Sequence, residues 1–187
     1  MKIDPTVTWR AVEAAWEKET NPLHKKLLGE VCTHMKTEVC GELAPLMDTL
    51  TDEPVYHMWG QGPESGPKGR EAVQGFYEGL IASGGTLFEF DVERIIVGDG
   101  GVITEGTLRN CYGGETVAAM GMTEVNGEPV DPSAKYGSEV HLLTVWPNAG
   151  DGKLLGEDIF FGSNAFENLV KLAPEDEPTQ PNLADYT

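Results

Sequence analysis

Basic residues are scarce in this chain of 187 residues. It contains 13 Lys and Arg against 31 Asp and Glu, which gives a formal net charge of −18. A surface this acidic repels phosphate backbones and anionic lipid headgroups. The composition therefore disfavours nucleic acid and membranes as partners, and we expect neither.

Cysteine and long apolar runs are also scarce. Cys32, Cys40 and Cys111 are odd in number and form no CxxC pair, which argues against a disulfide framework and a zinc knuckle. No stretch approaches the roughly 20 apolar residues that span a bilayer. The opening residues MKIDPTVTWR lack the apolar core of a secretory signal. We expect a soluble, cytoplasmic protein.

Several common catalytic signatures are missing. The chain has no P-loop, no GxGxxG after a strand, no HExxH and no GxSxG. These absences remove the usual patterns of nucleotide-binding proteins, zinc proteases and α/β-hydrolases. If the chain is an enzyme, we expect it to work without a cofactor and without a metal.

The residues that are present suit a globular protein. Hydrophobic residues make up 40% of the chain, and its length is sufficient for one domain with a real core. We predict a single domain over residues 1–172. Residues 173–187 are acidic and rich in proline, so we predict a flexible tail there.

Helical patterns dominate the first 50 residues. Apolar residues three and four positions apart predict a short helix over 9–19. Asn21 and Pro22 are suited to the start of a second helix, and Gly41 to its end. Residues 42–50 predict a third, short helix.

The rest of the chain alternates strand and turn patterns around one more helix. Runs of glycine and proline predict a surface loop over residues 60–69, and Gly98 to Gly101 predict a tight hairpin turn. Residues 113–135 predict an insertion or a flap. The predicted strands are 54–59, 86–97, 102–112, 136–146 and 154–163, and the predicted helix is 70–83.

This order of elements resembles the nuclear transport factor 2 (NTF2)-like superfamily, in particular its SnoaL-like branch. The stretches VYHMWG, GPKGREAVQGFYEGL and FEFDVERIIV carry the resemblance, which covers roughly residues 23–163. It implies an α+β cone, also called an α+β barrel, in which a curved antiparallel sheet packs against N-terminal helices. It also implies a homo-oligomer, either dimer or trimer, with a deep pocket lined by inward residues.

Many relatives implied by this resemblance are cofactor-independent enzymes, and others only bind ligands. The enzymes include polyketide cyclases, ketosteroid isomerase, scytalone dehydratase, limonene-epoxide hydrolase and a diarylpropane lyase that releases formaldehyde. The Asp-Arg-Asp spacing of the epoxide hydrolases is not reproduced here. The resemblance therefore implies a fold and a class of chemistry, without a motif for one reaction.

Two predicted strands carry a candidate catalytic cluster. Because side chains alternate across a strand, Glu105 and Arg109 share one face of the first strand, and Glu139 and His141 share one face of the second. If the strands are neighbours, these groups could perform acid-base catalysis, with Arg109 stabilising negative charge. The alternative is an ordinary solvated face of a half-buried sheet.

His57 is a further candidate for moving a proton. It shares one side of its strand with Trp59, whereas Tyr56 and Met58 occupy the other side. Burial beside an indole ring would shift the pKa of the imidazole, although core histidines are more common. Tyr56 is the competing choice, since only one of the two readily faces a single cavity. We assign Tyr56 and Trp59 to substrate binding.

Three more residues are candidates for substrate binding. Lys68 is a local cation that could hold a carboxylate or an enolate, although such a lysine is more often a solvated helix start. Met120 would suit a mobile wall against an apolar ligand. Glu157 and Asp158 point to opposite sides of the last strand, and we favour Asp158 because Gly156 and Gly162 leave room on its face.

His34 and Glu38 form the last polar pair. They are four residues apart in the second helix and therefore share a face, which could orient the imidazole or supply two metal ligands. Two ligands do not make a metal site, so we interpret the pair as solvent-facing.

The leading hypothesis is a cofactor-independent lyase, isomerase or hydrolase acting on a small, mainly apolar or aromatic molecule. His57 or His141 would move a proton beside Glu105 and Arg109. A diarylpropane formaldehyde lyase is one candidate within this class. The alternative is a non-catalytic protein of the same fold that binds a small ligand or serves as a scaffold.

Overall fold

A computed structural model describes residues 1–60 and 63–186. The described residues form an α+β architecture in which N-terminal helices pack against a curved sheet, as predicted. The helices are α1 (Arg10–Lys18), α2 (Pro22–Cys40), α3 (Leu43–Asp48), α4 (Arg70–Ala82) and α5 (Gly114–Ala119). The strands are β1 (Leu50–Trp59), β2 (Phe88–Gly98), β3 (Gly101–Gly113), β4 (Glu124–Val125), β5 (Glu128–Pro129), β6 (Lys135–Pro147), β7 (Leu154–Phe161) and β8 (Val170–Lys171).

The long helix α2 has the ends that its sequence predicts. The Asn21 side-chain oxygen accepts hydrogen bonds from the backbone N–H groups of Leu23 and His24, at 2.9 and 3.3 Å. Pro22 occupies the first turn, where its missing N–H costs nothing. Gly41 closes the helix with φ of 73°, a left-handed conformation that glycine adopts without strain.

The main sheet has the strand order β1-β7-β6-β3-β2, and β8 pairs with β6. All pairings are antiparallel except that of β1 with β7, which is parallel. Strand β1 begins at Leu50, four residues earlier than predicted. The register with β7 is irregular between Leu50 and Val55, and such irregularities tolerate Pro54 within an edge strand.

The predicted loop after β1 folds back onto that strand. The N–H and C=O groups of Met58 bond with those of Ser65, at 2.7 and 3.2 Å, and the Tyr56 N–H donates to the Pro67 carbonyl at 3.0 Å. This segment therefore covers part of the exposed edge of β1. Gln61 and Gly62 of the predicted loop lie outside the described residues.

The segment over residues 113–135 contains α5 and the small hairpin β4–β5. The turn of this hairpin is the predicted Asn126-Gly127, where φ is 53° and 80°. Val117 and Tyr136 pack with Leu169 in a small cluster, so the segment is anchored at the end of β6.

The acidic tail lies against the N-terminal helices. Tyr186 packs edge-on against Trp9 with ring centroids 5.0 Å apart, and the Asp176 carboxylate accepts from the amino terminus at 3.2 Å. The flexibility of this tail stays a prediction. No helix among residues 1–60 and 63–186 is both long enough and apolar enough to cross a membrane.

Close contact between β1 and β7 depends on Gly156. Its φ is 145°, and a Cβ atom at this position would lie 1.9 Å from the Val55 carbonyl oxygen. Gly156 thus allows two backbones to approach each other, rather than leaving room for a ligand as predicted. The same register aligns the next residue, Glu157, with Tyr56.

We predict that Gly156→Ala destabilises the protein by about 2 kcal/mol or more, because the new methyl group meets backbone in a strained conformation. Gly75→Ala in α4 is the matched control, since a Cβ there has no neighbour within 4 Å. That change should leave stability equal or raise it by about 0.5–1 kcal/mol. Urea unfolding measures both, and equal free energies of unfolding for the two variants would contradict the prediction.

Candidate active site

A largely apolar cavity of about 220 Å³ lies between the helices and the inner face of the sheet. Alternate residues of the strands point into it, as the two-residue period of a strand requires. Its polar side chains stand among rings and aliphatic groups. The lining includes Met35, Glu38, Met58, Phe76, Leu80, Phe88, Phe90, Leu108, Asn110, Tyr112, Leu142, Thr144, Trp146, Glu157, Ile159, Phe161 and Phe166.

The predicted catalytic cluster lies on the opposite, outer face of the sheet. Strands β3 and β6 are neighbours, as the prediction required, and His141 Nε2 is 3.1 Å from Glu105 Oε1. Arg109 bonds Glu139 at 2.8 Å and also pairs with Glu89. The predicted placement of Glu105, Arg109 and His141 in the pocket is therefore wrong, because the side chains at the alternate positions of these strands are the ones that point inward.

His57 and Trp59 also lie on the outer face, so the prediction that they face the pocket is wrong. The His57 ring stacks on Trp59, with centroids 5.1 Å apart, and its Nδ1 contacts Glu64 at 2.8 Å. Lys68 bonds the same carboxylate at 3.0 Å and the Tyr56 carbonyl at 2.6 Å. These contacts hold the loop after β1 in place.

The remaining predicted substrate-binding residues do not line the cavity either. Met120 is 51% exposed at the end of α5. Asp158 pairs with His57 of β1, and its side chain points outward as that of His57 does. Tyr56 does point inward, as the alternative interpretation held, but it is fully buried behind the cavity wall and contacts the Tyr77 hydroxyl at 3.0 Å.

The polar centre of the cavity is instead formed by His34, Glu38 and Glu157. Glu38 and Glu157 line the cavity, whereas His34 lies behind it with no exposed surface. The predicted solvent exposure of His34 and Glu38 is wrong, because the sheet covers this side of α2. The sequence carried one signal for this: both residues continue the apolar stripe of Leu27, Val31 and Met35.

A buried hydrogen-bond network holds Glu157 in place. The Tyr77 hydroxyl donates to Glu157 Oε1 at 2.9 Å and lies 2.9 Å from His34 Nε2. His34 Nε2 is itself 3.3 Å from Glu157 Oε1. On the other side of the ring, His34 Nδ1 is 2.7 Å from Thr49 Oγ1. The network links α2, α4 and β7 through buried groups.

The geometry fixes the role of one nitrogen of His34. The Thr49 hydroxyl donates to the Leu46 carbonyl at 2.6 Å, so its oxygen must accept from the Nδ1–H of His34. Tyr77 has a single hydroxyl proton for two close neighbours, Glu157 and His34 Nε2, and its oxygen also lies 3.0 Å from the Tyr56 hydroxyl. These side chains therefore depend on one another for their hydrogen bonds.

Glu38 supplies a second acid group in the same part of the cavity. Burial, followed by the charge of Glu157, raises the pKa of Glu38 well above its ordinary value of 4.5. Burial likewise raises the pKa of Tyr56 and Tyr77 well above 10, with the charge of Glu157 adding to the effect. Glu38 and both phenols therefore keep their protons to higher pH than the same groups do in water.

Neither a disulfide nor a metal ligand set accompanies this site in the described part of the chain. Cys32, Cys40 and Cys111 are buried free thiols. Within residues 1–60 and 63–186, no group of three or more His, Cys, Asp and Glu side chains is arranged to hold a metal ion.

The fold is shared with solved structures of SnoaL-like and NTF2-like proteins. A protein from Shewanella putrefaciens assigned as a SnoaL-like polyketide cyclase aligns with a TM-score of 0.57 and 11% identity, over 80% of this chain and 86% of that one. A protein from Jannaschia with the same assignment gives 0.55 and 15%, over 78% and 91%. An NTF2-like protein from Anabaena variabilis gives 0.52 and 16%, over 79% and 97%.

These similarities define the fold class: the chain has the NTF2-like cone, in the form found in SnoaL-like proteins. No protein-family model matches the chain, and neither does any curated protein sequence. The particular activity must therefore be argued from the cavity.

The raised pKa of Glu38 predicts how stability depends on pH. The unfolded chain releases this proton near the ordinary carboxyl pKa, whereas the folded protein keeps it to higher pH. In that window the folded state binds more protons, so the free energy of unfolding falls as pH rises, by up to about 1.4 kcal/mol per pH unit.

Glu38→Gln removes this titration. The variant should therefore gain stability relative to the wild type as pH rises from about 5 to about 8. Urea unfolding across this range measures the difference, with Glu42→Gln at the exposed start of α3 as the control that follows the wild type. A difference between Glu38→Gln and the wild type that does not change with pH would contradict the assignment.

Proposed function

We propose that this protein is a cofactor-independent enzyme that moves a proton within a small, mainly apolar substrate. Glu157 acts as the general base and Glu38 as the general acid. The observation that carries the proposal is the placement of these two carboxyl groups in one apolar cavity, where their environments differ. A pair of titratable groups whose environments push their pKa values apart is the usual arrangement for acid-base chemistry.

Glu157 is suited to accept a proton from carbon. The residue is only 6% exposed, so little water competes for its carboxylate. Tyr77 and His34 hold it from the side away from the cavity, which fixes its orientation towards a bound substrate. His34 contacts Glu157 without occupying the cavity.

Glu38 is suited to donate a proton or a hydrogen bond to oxygen. When Glu157 removes a proton next to a carbonyl group, negative charge develops on the carbonyl oxygen. A protonated carboxylic acid in an apolar site stabilises that charge, because no solvent reorganisation is needed. Return of the proton to a different atom gives an isomerisation, and loss of a leaving group gives an elimination.

The shared fold agrees with such chemistry, since two of the similar structures are assigned as polyketide cyclases. Within the proposed class, a lyase or isomerase reaction fits the acid-base pair, and the formaldehyde lyase reaction on an aromatic diol stays one candidate. We also propose that the protein acts in the cytoplasm as a homo-oligomer. A protein of the same fold that binds its ligand without converting it is the competing proposal.

We predict that Glu157→Gln lowers turnover at least about 100-fold, because the amide cannot accept the proton. Glu105→Gln on the outer face is the matched control and should keep wild-type turnover. Mass spectrometry in D₂O, without added cofactor, follows conversion and deuterium uptake in a panel of aromatic diols, epoxides, ketosteroids and polyketide-like ketones.

Two outcomes of this experiment would overturn the proposal. Compounds that bind but return unchanged and without deuterium would favour the ligand-binding protein. Equal loss of turnover in Glu105→Gln and Glu157→Gln would place the chemistry elsewhere.

A further inference from the structure

The cavity has a second polar region far from Glu157. Asn110 and Tyr112 line it from β3, and Asn110 pairs with Phe88 of β2 on one side and with Ser138 of β6 on the other. We call the region formed by Asn110, Tyr112 and Ser138 the polar end. Gly85 and Phe88, on either side of Thr86 in the sequence, also line the cavity.

The sheet register gives the separation between the polar end and the acid-base pair. On β6, Thr144 pairs with Ile159, two residues from Glu157, and Ser138 pairs with Asn110. The same register places Glu157 level with position 146 of β6, so the two polar regions are eight residues apart, which corresponds to about 27 Å along an antiparallel strand. Curvature of the sheet and the reach of the side chains shorten the gap that a ligand must span.

Two buried hydroxyl groups, Thr86 Oγ1 and Ser138 Oγ, make no hydrogen bond of good geometry within the described residues. Ser138 has no exposed surface, and Thr86 is almost as fully buried. The Ser138 hydroxyl approaches the Tyr112 phenol, on whose pKa it acts as a hydrogen-bonding group. Buried polar groups are nearly always hydrogen-bonded, so an oxygen group of a ligand beside Ser138 would complete its set of partners.

Tyr112 adds a hydrogen-bond donor to this group. Burial raises the pKa of Tyr112 to about 12, so its phenol stays protonated at neutral pH. The Tyr112 ring packs against Phe166, with centroids 4.8 Å apart, which holds it in the cavity wall. The polar end thus combines donors and acceptors that suit an uncharged oxygen group.

The wall between the two polar regions is apolar. Phe90, Leu108, Leu142 and Phe161 line it, and they offer no hydrogen bond to a ligand. A ligand that satisfies both regions therefore needs polar groups at its two ends and a hydrocarbon or aromatic body between them.

We propose that the polar end binds a hydroxyl or carbonyl oxygen of the substrate. The substrate is then an elongated molecule with an apolar middle, whose reacting atoms lie at Glu157 and whose oxygen lies at Asn110. This inference rests on the proposed function for the direction of binding, but the oxygen preference itself needs no catalysis. Binding measurements can therefore test it separately.

The experiment compares 4-phenylphenol with biphenyl, which differ by one hydroxyl group. Isothermal titration calorimetry at pH 7 measures both dissociation constants for the wild type and three variants. The wild type should bind 4-phenylphenol about three- to tenfold more tightly, the effect of one neutral hydrogen bond. Asn110→Leu conserves side-chain size and should remove most of this preference, and Tyr112→Phe should reduce it.

The Glu157→Gln variant determines which end of the cavity binds the hydroxyl group of 4-phenylphenol. If the inference is correct, this variant keeps the preference for 4-phenylphenol. Loss of the preference in Glu157→Gln, together with its retention in both Asn110→Leu and Tyr112→Phe, would overturn the inference. Equal binding of the two probes by the wild type, or binding of neither, would overturn it as well, and ordered water would then be the partner of Ser138 and Thr86.

These outcomes are separate from those that test catalysis. If the protein prefers 4-phenylphenol through Asn110 but exchanges no deuterium, the inference about the polar end stands and the proposed function is wrong.

Discussion

The buried contact between His34, Tyr77 and Glu157 constrains the rest of the structure. A carboxylate and an imidazole without water are costly unless each has its partner, so the three residues must meet in one geometry. They come from α2, α4 and β7, and each element must therefore pack at one position along its axis. The pKa values of Tyr56, Tyr77 and Glu38 then depend on the charge of Glu157, whose position the fold fixes.

The two faces of the sheet use similar residues for different purposes. On the outer face, Glu105 pairs with Arg94 and Arg109 pairs with Glu139; each pair has an exposed member, so water screens it and it contributes little to stability. On the inner face the same types of group are enclosed by apolar side chains, where each hydrogen bond is stronger and each missing partner is more costly. Chemistry is favoured on the inner face for this reason, although the outer face carries more charge.

The local pattern of the chain was sufficient for most elements but not for the site. Asn21 and Gly41 mark the ends of α2 because caps depend on neighbouring residues alone. The face of each strand that points inward depends on which side of the sheet the helices cover. An error of one position exchanges the inward-facing and outward-facing side chains of the whole strand. That error selected Asp158 over Glu157 and placed Arg109, whose side chain points outward, in the pocket. His34 and Glu38 were assigned to solvent because nothing local shows that two polar residues within an apolar stripe have buried partners.

The protonation state of Glu38 beside Glu157 can be measured in the folded protein. Infrared spectroscopy at pH 7 detects the carbonyl stretch of a protonated carboxylic acid, and comparison with Glu38→Gln assigns it. We expect such a band in the wild-type protein, its loss in Glu38→Gln and its retention in Glu105→Gln. A wild-type spectrum without a protonated carboxyl at neutral pH, or one that Glu38→Gln does not change, would contradict a neutral acid beside Glu157.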